Sequence, residues 1–462
     1  AELAVTKQQL REGGARMRFE ELGLQTGEIK TAGFIAFEAE AQKLNTILQE
    51  IDTELGPLRI TSKKVGLEFH VQQHSPQTCG ILKGISWNEV YARHDPLRDQ
   101  WQACYQIYKT QLIRYQPAYD MGPAAQVSQL SVILNWVRAS QRLIVLEVQQ
   151  GNLEQALEYL VKVKKVHKQL AGERPYNLIE GLVEITVDGI ILAAERQILE
   201  SPNLNLKTWT SLYELLDHPN ALRLLSQSME GDRIVFTEYI WEQISRSQTQ
   251  RTQLIAQLGY LDSTGKLSSY ILNEHVYAAI YYTLFKDYDH SYYVKSLWTI
   301  ESMAIATIEG KEPIISQMKQ DMDQILLIEK PQNLLDQIKY TFSSLSLPGV
   351  ELVIRKMVCI ETYQRQLHIA MLLKQYHFEN KRYPEHLYDI PTIGELNLSD
   401  PITLEPMQYR LEQDGSYTLY SVGMNGLDDA AVHLPLGEKN QDGIRIKDDT
   451  APDWIWPKMV TD

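Results

Sequence analysis

The sequence predicts a mainly α protein, an irregular α-helical array followed by a small α+β module with an antiparallel hairpin at the C-terminal end. Two observations carry this. As far as Asn380, apolar residues recur at the spacing of one helical face, with Pro and Gly as punctuation. Beyond Asn380 the period changes to two. Met407, Tyr409 and Leu411 share one face of a strand, Asp414-Gly415 supplies a turn, and Tyr417 and Leu419 return on a second strand.

At the N-terminus helix is expected over Glu2–Leu22 and Phe34–Leu55, the second with Ile35, Leu44, Ile47, Leu48 and Ile51 on one face. Pro57 to Trp87 break the pattern. Leu67, Phe69 and Val71 alternate there as a short strand would, so an irregular insertion over about residues 57–94 is expected within an N-terminal helical region, 1–120. His94-Asp95-Pro96 reads as a helix start, with helix to about Tyr115 and a loop at Pro117–Pro123.

A helical array is expected over 121–347. Leu130, Ile133, Leu134, Val137, Leu143, Ile144 and Val148 lead to Gly151-Asn152, and helix resumes over Leu153–Leu170. Gly and Asn tolerate the left-handed conformation that closes a helix, so these two helices form an antiparallel hairpin. The string from Gly151 to Leu157 resembles the junction of tetratricopeptide-like hairpins, although no repeat of fixed period accompanies it. Further helices are expected at Tyr176–Leu199, Leu206–Leu216, Asn220–Ser228, Ile234–Ser245, Leu272–Leu284, Tyr292–Ile308, Pro313–Leu327 and Pro331–Phe342. Leu347-Pro348-Gly349 stops the array. Val353, Met357, Ile360, Leu367 and Met371 then place an apolar stripe on one long helix, the first element of a C-terminal module over 348–462.

At 462 residues the chain exceeds the reach of one hydrophobic core, so two or three domains are expected. A net charge of −14 without a basic stripe argues against a nucleic-acid partner. Cys79, Cys104 and Cys359 are too few and too scattered for a disulfide framework, though a single Cys79–Cys104 bridge would suit an oxidising compartment. The apolar runs Leu143–Val148 and Ile185–Ala194 are too short to cross a bilayer, the second being interrupted by Asp188. The chain opens on Ala1 rather than Met, a start compatible with removal of an N-terminal signal, anchor or tag; membrane association is expected only through such a segment.

Arg382-Tyr383-Pro384, Leu387, Asp400-Pro401, Pro406, Tyr409-Arg410, Gly415, Tyr417, Leu419-Tyr420-Ser421, Gly423 and Asn425-Gly426, preceded by a long helix, resemble the C-terminal half of type II secretion major pseudopilins. That family joins a helix, a Tyr-Pro turn, an Asp-Pro turn, a Tyr-containing hairpin and a Tyr-Ser-x-Gly-x-(Asp/Asn)-Gly loop. The resemblance covers roughly the last quarter of the chain and implies a bacterial envelope protein. It also implies calcium at the terminal loop, with the Val422 carbonyl, Asn425, Asp428 and Asp453 as ligands. Asn425 where Asp is common, and Ala430-Ala431 where glycines are frequent, depart from the pattern. So do the several hundred helical residues ahead of the long helix, which in the family builds a filament.

Two other constellations stand out. Tyr281, Tyr282, Tyr292, Tyr293 and Trp298 form an aromatic stretch that either stacks on sugars or a partner protein or fills the space between helices. His70, His74, Cys79, His94 and Cys104 have zinc-ligand chemistry without a zinc spacing. No phosphate loop, nucleophile elbow, His-Glu-x-x-His or dinucleotide fingerprint occurs. The leading expectation is a non-enzymatic envelope protein, periplasmic or at the surface, acting through protein contacts or self-association. The alternative is a hydrolase or carbohydrate-binding protein with its site in a groove near the aromatic stretch.

Overall fold

Capping side chains decide where many of the helices begin. Ser86, Asn177, Asn205 and Asn220 each accept a hydrogen bond from the backbone N–H three residues on, satisfying donors that a helix N-terminus leaves open. The computed structural model describes residues 2–17, 19–22, 27–55, 85–117, 128–171, 177–218, 220–237, 241, 280–318, 339–340, 343, 347–391, 393, 398–431 and 453–456. Among them the chain is mainly helical with a small antiparallel sheet.

The helices are α1 (Glu2–Glu12), α2 (Ala32–Leu55), α3 (Trp87–Arg93), α4 (Asp95–Thr110), α5 (Ser128–Gln149), α6 (Leu153–Ala171), α7 (Leu178–Leu199), α8 (Leu206–Glu214), α9 (Ala221–Gly231), α10 (Lys286–Ile308), α11 (Ile314–Gln317) and α12 (Pro348–Asn380). A two-residue ladder pairs β1 (Ile29–Lys30) with β2 (Tyr115–Gln116). At the C-terminal end, β3 (Gln408–Leu411), β4 (Tyr417–Ser421) and β5 (Trp454–Ile455) form an antiparallel sheet in that order.

The expected α5–α6 hairpin is present, closed by Gly151 at φ +79°. The expected β-hairpin is present too, with Tyr409 opposite Leu419 and Leu411 opposite Tyr417. Its turn is held by Gly415 at φ +80° and by Asp414, whose carboxylate accepts the Ser416 N–H at 2.9 Å.

Three local expectations change. Helix over Glu2–Leu22 is cut at Gly13-Gly14, where Gly14 takes φ +91°, and only a 3-10 turn follows at Phe19–Leu22. Part of the segment expected to be irregular is helix α3, capped by Ser86. The helix expected from Ile234 starts as a π-helical turn, Asp232–Thr237, continuous with α9. The strand expected at 67–71 lies outside the described residues.

Helices α5 and α7 occupy the centre, α5 touching α2, α4, α6 and α7, and α7 touching α5, α6, α8, α9 and α12. Helix α12 touches α7, α8, α9 and β4. One continuous cluster of buried apolar side chains runs from Phe34 through α5, α7 and α12 to Trp456, across the divisions expected near residues 120 and 347. A second, small cluster joins Leu10, Ala15 and Met17 to Val294, with Trp298 against it.

Candidate functional site

Among the described residues, a buried charged network joins α6, α7, the loop after α8 and α12. Helix α7 carries Glu184, Asp188 and Glu195, whose spacing returns them to one face. Lys164 and His167 face them from α6, His218 from the loop after α8, and Gln364 from α12.

His218 Nε2 meets Glu195 Oε2 at 2.5 Å, and its Nδ1 lies 3.7 Å from Asp188 Oδ1. Lys164 Nζ donates to the other Glu195 oxygen at 2.8 Å, and His167 Nε2 meets Glu184 Oε2 at 2.8 Å. Asp188 Oδ2 accepts the Gln364 amide at 3.0 Å, so the network crosses from α7 to α12.

Burial disfavours charge on His167, Glu195 and His218, and their pairings outweigh it. Desolvation would push His218 down; the Glu195 carboxylate, reinforced by Asp188, instead holds it up to about 9. Desolvation likewise opposes charge on Glu195, which His218 and Lys164 hold down to about 2. His167 is raised, Glu184 prevailing over its burial. The result is a closed set of ion pairs, costly to break because removal of one member leaves a buried charge.

The same stretch of α12 also reaches the sheet. Glu361 accepts from Asn220 Nδ2 at 3.0 Å and the Ala221 N–H at 2.9 Å, tying α12 to the start of α9. Arg365 bonds Glu361 at 2.9 Å and donates to the Ser399 carbonyl at 2.7 Å. Gln366 donates to the Trp454 carbonyl at 2.7 Å, beside Trp456, whose ring lies under the Arg196 guanidinium. Consecutive side chains of α12 therefore hold the body and the sheet together.

The loop expected to take calcium is ordered by its own side chains. Asn425 accepts the Leu427 N–H and donates to Asp429, while Asp428 accepts the Ala430 N–H at 2.8 Å and the Tyr420 hydroxyl at 3.1 Å. Asp453 does come back to this loop, where it accepts the Asp429 and Ala431 N–H groups at 3.2 and 2.7 Å. Val422 donates its N–H to Asp400, the carboxylate of the Asp-Pro turn. These side-chain oxygens accept N–H and O–H donors from the loop and from β4, as in a capped turn. Among the described residues no group of three or more His, Cys, Asp or Glu could hold a metal ion.

In the aromatic stretch, Tyr281 and Tyr293 are buried, with their hydroxyls bonded to Asp289 at 2.7 Å and Asp232 at 3.3 Å. Tyr282, Tyr292 and Trp298 are half-buried, Tyr292 tilted against Tyr340 and Trp298 under the Arg233 guanidinium. The stretch therefore turns two of its rings inward instead of presenting one continuous face.

Of the zinc-like group, His94 and Cys104 are buried, and Cys104 is unbridged. Burial pushes the imidazole down to about 4 and the thiol up to about 12, so both are neutral packing groups. His70, His74 and Cys79 lie outside the described residues.

The buried network was missed by sequence reasoning, yet one signal pointed to it. Asp188 interrupts an otherwise apolar run, and a carboxylate in such a place needs partners that only other helices can supply.

No family model, no curated protein and no solved structure matches this chain.

Proposed function

We propose that this chain is a non-enzymatic bacterial cell-envelope protein in which a helical body carries a pseudopilin-like head and acts through protein–protein contacts. The observation that supports this most is the position of α12. In the family that the head resembles, the corresponding helix is the filament-building element; here its middle, from Met357 to Leu373, is buried almost throughout, in a helix that touches α7, α8, α9 and β4. A helix covered in this way has no free stripe for lateral packing. The head is fixed to its own body, which leaves its turns as the surface offered to others.

Two large apolar side chains stand out on those turns, Tyr388 at 73% exposure and Leu427 at 64%. Exposed apolar groups on an otherwise polar rim are what a protein contact uses. The charged residues that could have suggested catalysis are instead spent inside the protein, holding α6, α7 and α12 in register.

Two measurements test the proposal. An antibody against the chain, applied to fractions of its native cell, is expected to find it in the envelope, and recovery only from cytosol overturns the location. A photo-crosslinker at Tyr388 or Leu427 is expected to capture a defined partner that the same group at exposed Ile179, on the body, does not. Equal labelling at all three positions removes the head from the proposal.

A further inference from the structure

The N-terminal segment is attached differently from the other helices. Helix α1 turns Thr6 and Leu10 inward and leaves most of its other described side chains exposed or half-buried. After the break at Gly13-Gly14, residues 15–17 run as an irregular strap beside the Asp232–Thr237 turn and α10. The apolar side chains of the segment, Leu10, Ala15 and Met17, join the small cluster with Val294 and Trp298 and are not part of the main core.

Two arginines add to this hold. Arg16 makes a bidentate pair with Glu230 at the end of α9. Arg233 donates to the Arg16 carbonyl and to Met17 Sδ, while its other terminal nitrogen reaches Glu301 at 2.9 Å. Arg16 is 44% exposed and its partner Glu230 is nearly buried, so water can compete for one side of the pair.

We propose that residues 2–17 are a releasable strap, which leaves the body as a unit and uncovers the face formed by Val294, Trp298, Glu230 and Glu301. Among the described residues, three apolar side chains in a small separate cluster, a half-exposed ion pair and the Arg233 bonds to Arg16 and Met17 work against the entropy of ordering the segment, whereas α5 and α7 are held on nearly every side. Nothing in the main core has to move for the strap to go. The uncovered face sets Val294 and Trp298 beside the Glu230 carboxylate, with Glu301 still paired to Arg233, a surface suited to a segment of the strap's own chemistry, apolar residues next to one arginine.

Hydrogen exchange on the full chain tests this directly. Amides of α1 are expected to exchange far faster than those of α5 and α7, with little dependence on denaturant, as sub-global opening requires. Arg16→Ala is expected to lower α1 protection about tenfold through loss of the bidentate pair, leaving α5 and α7 unchanged. Arg16→Lys, which keeps the charge but not the fork, is expected to fall between the two. Exchange of α1 only through global unfolding, at the rate and denaturant dependence of α7, overturns the proposal. So does an Arg16→Ala effect spread equally over all three helices.

Discussion

His218 is a side chain whose charge the fold enforces. With its pKa raised from the ordinary 6.5 to about 9, the stability it contributes is fully present below about pH 6.5 and is lost as pH rises through 9. The contribution at neutral pH is on the order of 3 kcal/mol. His218→Gln is expected to lower the denaturation midpoint at pH 7, with the gap to the parent chain closing toward pH 10 in parallel urea titrations. A gap that stays constant with pH would mean that the imidazole is not charged in the fold.

Ala430 and Ala431 both sit at φ +58°, in the left-handed region where a Cβ costs about 1 kcal/mol. Ala430→Gly and Ala431→Gly are therefore each expected to raise stability by roughly 0.5–1 kcal/mol, read from thermal melting. Asp428 and Asp453 hold the two alanines in place. Adding calcium to a chelated sample is expected to leave the melting temperature where it is. A calcium-dependent rise abolished by D453N would instead assign the loop to the cation that the resemblance implies.

At the scale of elements, close packing of α7 on α9 depends on Gly181. A Cβ there would lie 2.0 Å from Ser228 Oγ and 3.0 Å from Ser228 Cβ, with Met357 behind at 3.2 Å. Gly181→Ala is expected to cost about 1–3 kcal/mol through forced separation of the helices, and Ser228→Gly in the same chain to recover part of it, measured by denaturant titration. Elements of this kind were legible in the sequence when their cause was local. Gly151 announces a helix end and Asp414-Gly415 a hairpin, because each acts within a few residues, whereas the caps Asn177 and Asn205 emerged only with the structure. The break after Glu12 was overrun because Gly13-Gly14 stands inside a pattern that otherwise continues.

At the scale of the molecule, head and body share α12. A fragment of residues 348–462 would expose the apolar faces that α7, α8 and α9 cover and would leave Glu361 and Gln364 without Asn220 and Asp188. It is expected to aggregate or to melt without cooperativity, whereas the whole chain gives one transition for both parts, followed by far-ultraviolet dichroism. A cooperative transition in the fragment would make the head an independent domain. No helix among the described residues is long and apolar enough to cross a membrane, so none of these elements serves that purpose.

The sequence by itself determined the helical class, the α5–α6 hairpin, the long helix before the head and the head's own hairpin, since periodicity, caps and turn residues act over short stretches of chain. Only the tertiary structure decided what Asp188, Glu195 and His218 are for, which tyrosines face inward, and that α12 belongs to body and head together. Those outcomes depend on which helices meet, and residues such as Asp188 and Gln364 are joined by packing across a long separation in sequence that no local pattern records.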